Sequence, residues 1–270
     1  MREITIAVVQ FQPTLNEPDE NIRRMSDFIN KICTEQPVDL VVFPELTTTG
    51  HECGLRFTDY AETVPGPTVS RLAKDASQYN THLVFGMVSK AKVESVLYNT
   101  AVVIGPDGEL IGSYGKVHLK GEERLAFRNG FRFPVFETEW GNLGVLVGWD
   151  MAFPEAARSL ALDGADVVAV CANWEVPHQD EWRAYCVARA CENSVFIAAA
   201  NRVGEEPSYQ FFGDSMVLSP RGERYTGLED NAEGYGIARI NLDLVRQARE
   251  EHQLFQCRQP LAYRNVVRKY

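Results

Sequence analysis

The stretch VLVGWDMAFPE, residues 145–155, decides how the chain is read. An apolar run ends at Gly148, and Trp149, Asp150 and a proline-punctuated segment follow, as at the entry to a helix. Many α/β enzymes expose a nucleophile at such a strand-to-helix bend. Here the bend carries a glycine, which has no side chain to attack with.

Apolar runs of the same kind recur on either side of that stretch: ITIAVVQ, DLVVFPE, THLVFGMV, NTAVVIG, ADVVAVCANW, SVFIAAANRVG and GDSMVLSP. They are short, rich in Val and Ile, and mostly bounded by Gly, Pro, Asn or Asp, which favours strands over helices. Most are apolar on both faces, so the strands are expected to be covered on both sides, as in layered α/β folds. Helical periodicity fills the gaps at 21–35, 68–80, 153–165 and 181–193. In the first of these, Ile22, Met25, Phe28, Ile29 and Ile32 fall at three- and four-residue steps and line one face. Pro-Asp-Gly in YNTAVVIGPDGELIGSYGK marks a hairpin, and MVLSPRGERY repeats the pattern. No linker or composition break interrupts this mixture, which predicts one domain over residues 1–270.

The chain has 270 residues, 45% of them hydrophobic and 24% charged, which is ordinary for a globular protein. A net charge of −10 with no Lys/Arg stripe argues against nucleic acid as a partner. No run approaches the roughly 18 apolar residues of a membrane helix, so no membrane partner is expected. The N-terminus enters strand-like sequence without a secretory pattern. The six cysteines lack CxxC pairing, which predicts reduced thiols, a cytoplasmic location, and no metal site.

Three segments carry the chemistry. In VVFPELTTTG, Glu45 follows a strand directly; burial would raise its proton affinity, as a general base requires, although a turn-capping or solvated carboxylate fits the same residues. In SYGKVHLKGEERLAF, Lys116 precedes Glu122 and Glu123; an ammonium held by carboxylates can stabilise an oxyanion, and a surface lysine beside surface acids is the alternative. His118 reads as a packing or substrate-side histidine, with no second His at metal-ligand spacing. The third segment is the opening stretch.

Together these segments resemble the nitrilase superfamily of carbon-nitrogen hydrolases, through FPEL at 43–46, GKVHL at 115–119 and GWDMAFPEAAR at 148–158. CANWEVP, ARACEN, AANRVG, FGDSMVLSPRGE and the closing RQPLAYRNVVRKY extend the resemblance along essentially the whole chain. It implies an α/β four-layer α-β-β-α sandwich, no cofactor, and assembly as a homodimer or higher oligomer, with YRNVVRKY suited to a dimer-contact tail. It implies Glu45 as general base, Lys116 as oxyanion-stabilising lysine and Glu123 as the further glutamate that positions substrate. Gly148 then stands at the position of the catalytic cysteine, and the backbone N–H of Trp149 beside it helps hold the oxyanion. Trp174 is expected at the pocket mouth, while Trp182 reads as helix packing.

The glycine admits three explanations: a cysteine replaced so that substrate binds without turnover, a natural member that binds or regulates without hydrolysis, or altered chemistry. In the last, Glu45 activates a water or Cys171 stands in for the missing thiol. A turn needing positive φ is the plain structural reason for a glycine. The resemblance favours a small amide or carbamoyl compound over a nitrile as substrate. An anionic substrate would need a fixed arginine, and Arg124, Arg158, Arg183 and Arg202 are the candidates.

Overall fold

The computed structural model describes residues 2–92 and 96–268; the last two residues of the YRNVVRKY tail lie outside them. Among the described residues the strands form two six-stranded sheets and a two-stranded ribbon. The first sheet contains β1 (Glu3–Gln10), β2 (Leu40–Val42), β3 (His82–Lys90), β4 (Leu97–Ile104) and β5 (Leu110–Gly115). The second contains β6 (Val135–Glu137), β7 (Asn142–Val147), β8 (Val167–Ala172) and β9 (Phe196–Asn201), with β10 (Val203–Glu205) and β11 (Gln210–Phe212) as the separate ribbon. β12 (Ser215–Leu218) and β13 (Arg224–Leu228) complete the second sheet, and β14 (Gly234–Asn241) returns to the first.

The strand orders are β14-β1-β2-β3-β4-β5 and β13-β12-β9-β8-β7-β6. β1, β2 and β3 run parallel and are extended by the antiparallel β4 and β5; β7, β8 and β9 run parallel and are extended by β12 and β13. The two halves therefore share one topology, closed at the far edge by an antiparallel β14 in one and β6 in the other.

The helices explain why these strands are apolar on both faces. They are α1 (Pro18–Glu35), α2 (Phe57–Tyr60), α3 (Pro67–Tyr79), α4 (Glu123–Ala126), α5 (Pro154–Leu162), α6 (Gln179–Asn193) and α7 (Asp243–His252). α1 buries Ile22, Met25, Ile29 and Ile32 with Ala7, Val9 and Val41 of the first sheet, and α3 adds Leu72 and Ala76 to that layer. α5 and α6 cover the second sheet through Leu160, Trp182 and Cys186 against Val168, Val170 and Ile197. Between the sheets lies a third core of Ile6, Val8, Val42, Val103, Val145, Cys171 and Ala198. Alternate residues of one strand thus face different layers, as the two-residue period requires. The result is the four-layer α-β-β-α sandwich expected from the motifs. Among the described residues no helix is long and apolar enough to cross a membrane.

Candidate active site

The C-terminal ends of the parallel strands β2, β7 and β8 converge, where α/β sheets generally place their ligands. Each delivers one element of the site: Glu45 follows β2, Gly148 follows β7, and Asn173 and Trp174 follow β8. Lys116 follows β5, and Glu123 opens α4.

Glu45 is 2% exposed and Lys116 3% exposed, so charge here is desolvated and must be paired. Lys116 Nζ donates to Glu45 Oε1 at 2.7 Å and to Glu123 Oε1 and Oε2 at 2.7 and 2.9 Å. Asn99 Nδ2 donates to the same two carboxylates, at 2.6 Å to Glu45 Oε1 and 3.0 Å to Glu123 Oε1. The backbone N–H of Asn173 donates to Glu45 Oε2 at 3.2 Å. The backbone of Glu45 reaches this depth because Gly86 on β3 lies against it. A Cβ at Gly86 would come within 2.6 Å of Glu45 Cα and 2.5 Å of Leu46 N.

One ammonium shared by two carboxylates leaves the cluster one negative charge in excess, so one carboxylate holds a proton more readily. Burial selects Glu45, whose carboxyl is pushed up to about 7 against the opposing pull of Lys116. Burial also acts on Glu123, but its two-point contact with Lys116 prevails and keeps it below the ordinary carboxylate value. Lys116 is held charged well above its usual range because Glu45 and Glu123 outweigh its own burial.

Gly148 has φ +43°, a left-handed conformation that glycine adopts without steric cost. A Cβ built there points into the cluster, colliding with Glu45 Oε2 and lying 3.2 Å from Lys116 Nζ. Asp150, fully buried just beyond the turn, ties this bend to the Lys116 loop. Its Oδ2 accepts from Tyr114 Oη at 2.6 Å and from the Val147 N–H at 3.2 Å, while its Oδ1 accepts from the His118 N–H at 2.9 Å.

Above the cluster opens a cavity of about 250 Å³ whose walls include His51, Phe57, Phe127, Trp149, Trp174 and Tyr209. This lies below the roughly 300–1,000 Å³ of drug-sized pockets and suits a small molecule. Trp149 and Trp174 meet with ring centroids 5.6 Å apart, and the Lys120 ammonium stands 4.3 Å over the Trp149 ring and 3.4 Å from Glu175 Oε1. The lip that carries His51 and Glu52 is anchored by Glu206, whose carboxylate accepts both backbone N–H groups and pairs with the buried Arg202.

Of the residues singled out from sequence, Glu45, Lys116, Glu123, Gly148, Trp149 and Trp174 line this one cavity, and His118 and Cys171 do not. His118 turns away, its Nδ1 2.8 Å from Asp150 Oδ1 and its ring stacked on Phe153. Cys171 is buried between the sheets, and burial holds its thiol protonated. Trp182 is buried in the α6 packing with Nε1 donating to the Asp214 carbonyl. None of the four candidate arginines reaches the cavity. Arg202 is committed to Glu206, Arg183 to Asp214 and Arg158 to the Glu192 carbonyl, while Arg124 lies exposed on α4. Sequence reasoning passed over Asn99, Asn173 and His51. Asn99 carried a signal, an amide beside Thr100 at the head of the apolar run of β4; His51 carried none.

Among the described residues no cluster of His, Cys, Asp and Glu could hold a metal ion. The carbon-nitrogen hydrolase family model matches residues 5–250. A probable nitrilase of Schizosaccharomyces pombe is 38% identical over 266 residues, covering 97% of this chain and 98% of its own. A carbon-nitrogen hydrolase from Helicobacter pylori G27 superposes with a TM-score of 0.93 at 25% identity, over 99% of each chain. A cysteine-to-alanine variant of an amidase from Nesterenkonia sp. AN1, solved with butyramide, superposes with a TM-score of 0.81 at 29% identity, covering 93% and 95% of the two chains. The chain belongs to the carbon-nitrogen hydrolase family of the nitrilase superfamily, an enzyme family of the nitrilase and amidase class.

Proposed function

We propose that residues 1–270 form one carbon-nitrogen hydrolase domain whose cavity receives a small amide or carbamoyl compound, and that Gly148 occupies the place of the nucleophile. The observation that carries this reading is the direction of the Gly148 Cβ vector, which points between Glu45 and Lys116 at the floor of the cavity. A thiol there would give its proton to Glu45 as its sulfur attacked the amide carbon. Lys116 and the Trp149 N–H would hold the resulting oxyanion. Glu45 would return the proton to the leaving ammonia, and water would hydrolyse the thioester to the carboxylate and restore the thiol.

Without sulfur at 148 the covalent route is closed, and the chain as written binds its amide without turning it over. In a comparable nucleophile and base system, loss of the nucleophile costs on the order of 10⁶ in turnover. Cys171 does not replace it, because its thiol is buried between the sheets and held protonated. An amide suits the site better than a nitrile, since Glu45 and Glu123 offer acceptors to its N–H groups. The butyramide complex of the cysteine-to-alanine amidase supports a nucleophile-free site that still holds its amide.

Calorimetric titration with butyramide tests the reading: binding to this chain, lost in Lys116→Met, is expected, and no binding at millimolar amide would count against it. A naturally non-catalytic, ligand-holding role is the second reading, favoured by the position of Glu45 Oε2, which fills the space that a side chain at 148 would enter.

A further inference from the structure

Asn99 touches every charged member of the cluster, yet no step of the proposed reaction uses it. It is fully buried on β4. Its backbone carbonyl accepts the Lys116 N–H at 2.8 Å, which sets where the Lys116 side chain begins. Its Nδ2 spends one proton on Glu45 Oε1 and the other on Glu123 Oε1. The orientation of the amide follows from chemistry: turned over, its oxygen would face the ionised Glu123 Oε1 at 3.0 Å with no proton between them, and would face Glu45 Oε1, which already accepts from Lys116, at 2.6 Å. In the orientation found, Oδ1 is buried without a hydrogen-bond partner among the described residues. The fold accepts an unpaired acceptor here while the two donors are placed.

We propose that Asn99 is the positioning residue of this site, a neutral clamp that holds the Glu45 and Glu123 carboxylates together around Lys116 and keeps Glu45 Oε2 turned toward position 148. The inference rests on the functional reading above only for its kinetic consequence. Glu45 Oε2 also accepts from the Asn173 N–H and Glu123 Oε2 from the Lys120 N–H, each at 3.2 Å, but without Asn99 only Lys116 would bridge the two carboxylates, and its single charge cannot fix both orientations. Asn99 supplies donors without adding charge, so it stabilises the ionised carboxylates and leaves Lys116 free to turn toward an oxyanion. A lysine or arginine at position 99 would offer donors too, but its charge would bury Glu45 permanently in its ionised form.

The test is the titration of Glu45 itself, followed by NMR in chain labelled with ¹³C at the glutamate side-chain carboxyls and assigned with Glu45→Gln. Asn99→Leu removes both donors and is expected to raise the proton affinity of Glu45 about tenfold, which corresponds to loss of one charge-assisted hydrogen bond. Asn99→Ser retains a single hydroxyl donor in a smaller side chain and is expected to fall between the two; it also serves if the leucine variant does not fold. An unchanged Glu45 midpoint in either folded variant would overturn the proposal and leave Asn99 a packing residue. With cysteine at 148, the same substitutions are expected to lower kcat about tenfold, leave KM for butyramide within twofold, and move the acid limb of the pH profile upward. If Gly148→Cys hydrolyses no amide, the functional reading fails while the titration still decides the role of Asn99.

Discussion

Glu45 Oε2 lies against the place where the Cβ of any side chain at position 148 would go, so a side chain enters there only if the Glu45 carboxylate shifts. Glycine satisfies two demands at that bend, the positive φ and the room for the carboxylate.

Gly148→Ala should therefore be costly without touching any hydrophobic core. Forcing a Cβ into φ +43° costs on the order of 1–2 kcal/mol. Moving Glu45 also strains its bonds to Lys116 and Asn99. A loss of about 1–3 kcal/mol in urea unfolding is expected; unchanged stability would mean that the bend relaxes freely.

A second consequence concerns pH. The Glu45 carboxyl is raised from 4.5 to about 7 by burial, so between those values the folded chain binds a proton that the unfolded chain has released. The stabilisation from Glu45 is then complete below pH 4.5 and lost as pH rises through about 7, a change on the order of 3 kcal/mol. Glu45→Gln removes the titration. Its stability relative to the parent should rise between pH 5 and pH 8 in urea unfolding, and a difference independent of pH would show that Glu45 is ionised throughout.

The charge of the cavity predicts which amides it accepts. Its walls include Glu52, Glu122 and Glu175 beside the Glu45 and Glu123 pair, against Lys116 and Lys120, and no arginine among the described residues. Lys116 is already shared by two carboxylates and Lys120 is paired with Glu175, so the net field repels anions. Succinamate should bind about tenfold more weakly than butyramide, and 4-aminobutyramide at least as well as butyramide. Added salt should shrink the gap. Tighter binding of succinamate would refute this account of the walls.

Much of the fold was legible in the sequence. Each of the eight apolar runs became a strand, because a strand sandwiched between two layers must be apolar on both faces. β14 and α7 were missed for the opposite reason. β14 is an edge strand with Arg239 exposed between buried Ala238 and Ile240, and α7 buries only Val245 and Ala248. Neither produces a strong apolar signal. In the site, Glu45 and Lys116 were suggested by their local frames, and the resemblance of the motifs to the family added Glu123, but their sharing of one ammonium depends on contacts 71 and 7 residues apart. His118 failed to join them because the chain leaves extended geometry after Gly115 and Asp150 captures the ring. Cys171 shares strand parity with Ala169, which faces the layer between the sheets, and that parity was available from the sequence alone.

Under the proposed function, this cavity is an amide-hydrolysing site complete except for its nucleophile. Ammonia release from butyramide and 4-aminobutyramide, measured side by side for this chain and Gly148→Cys, tests it most directly. Turnover by the cysteine variant is expected at least about 10³-fold above this chain, with a trappable acyl-enzyme on the new thiol. A folded cysteine variant that binds butyramide yet releases no ammonia would contradict that function and leave the cavity a site of recognition.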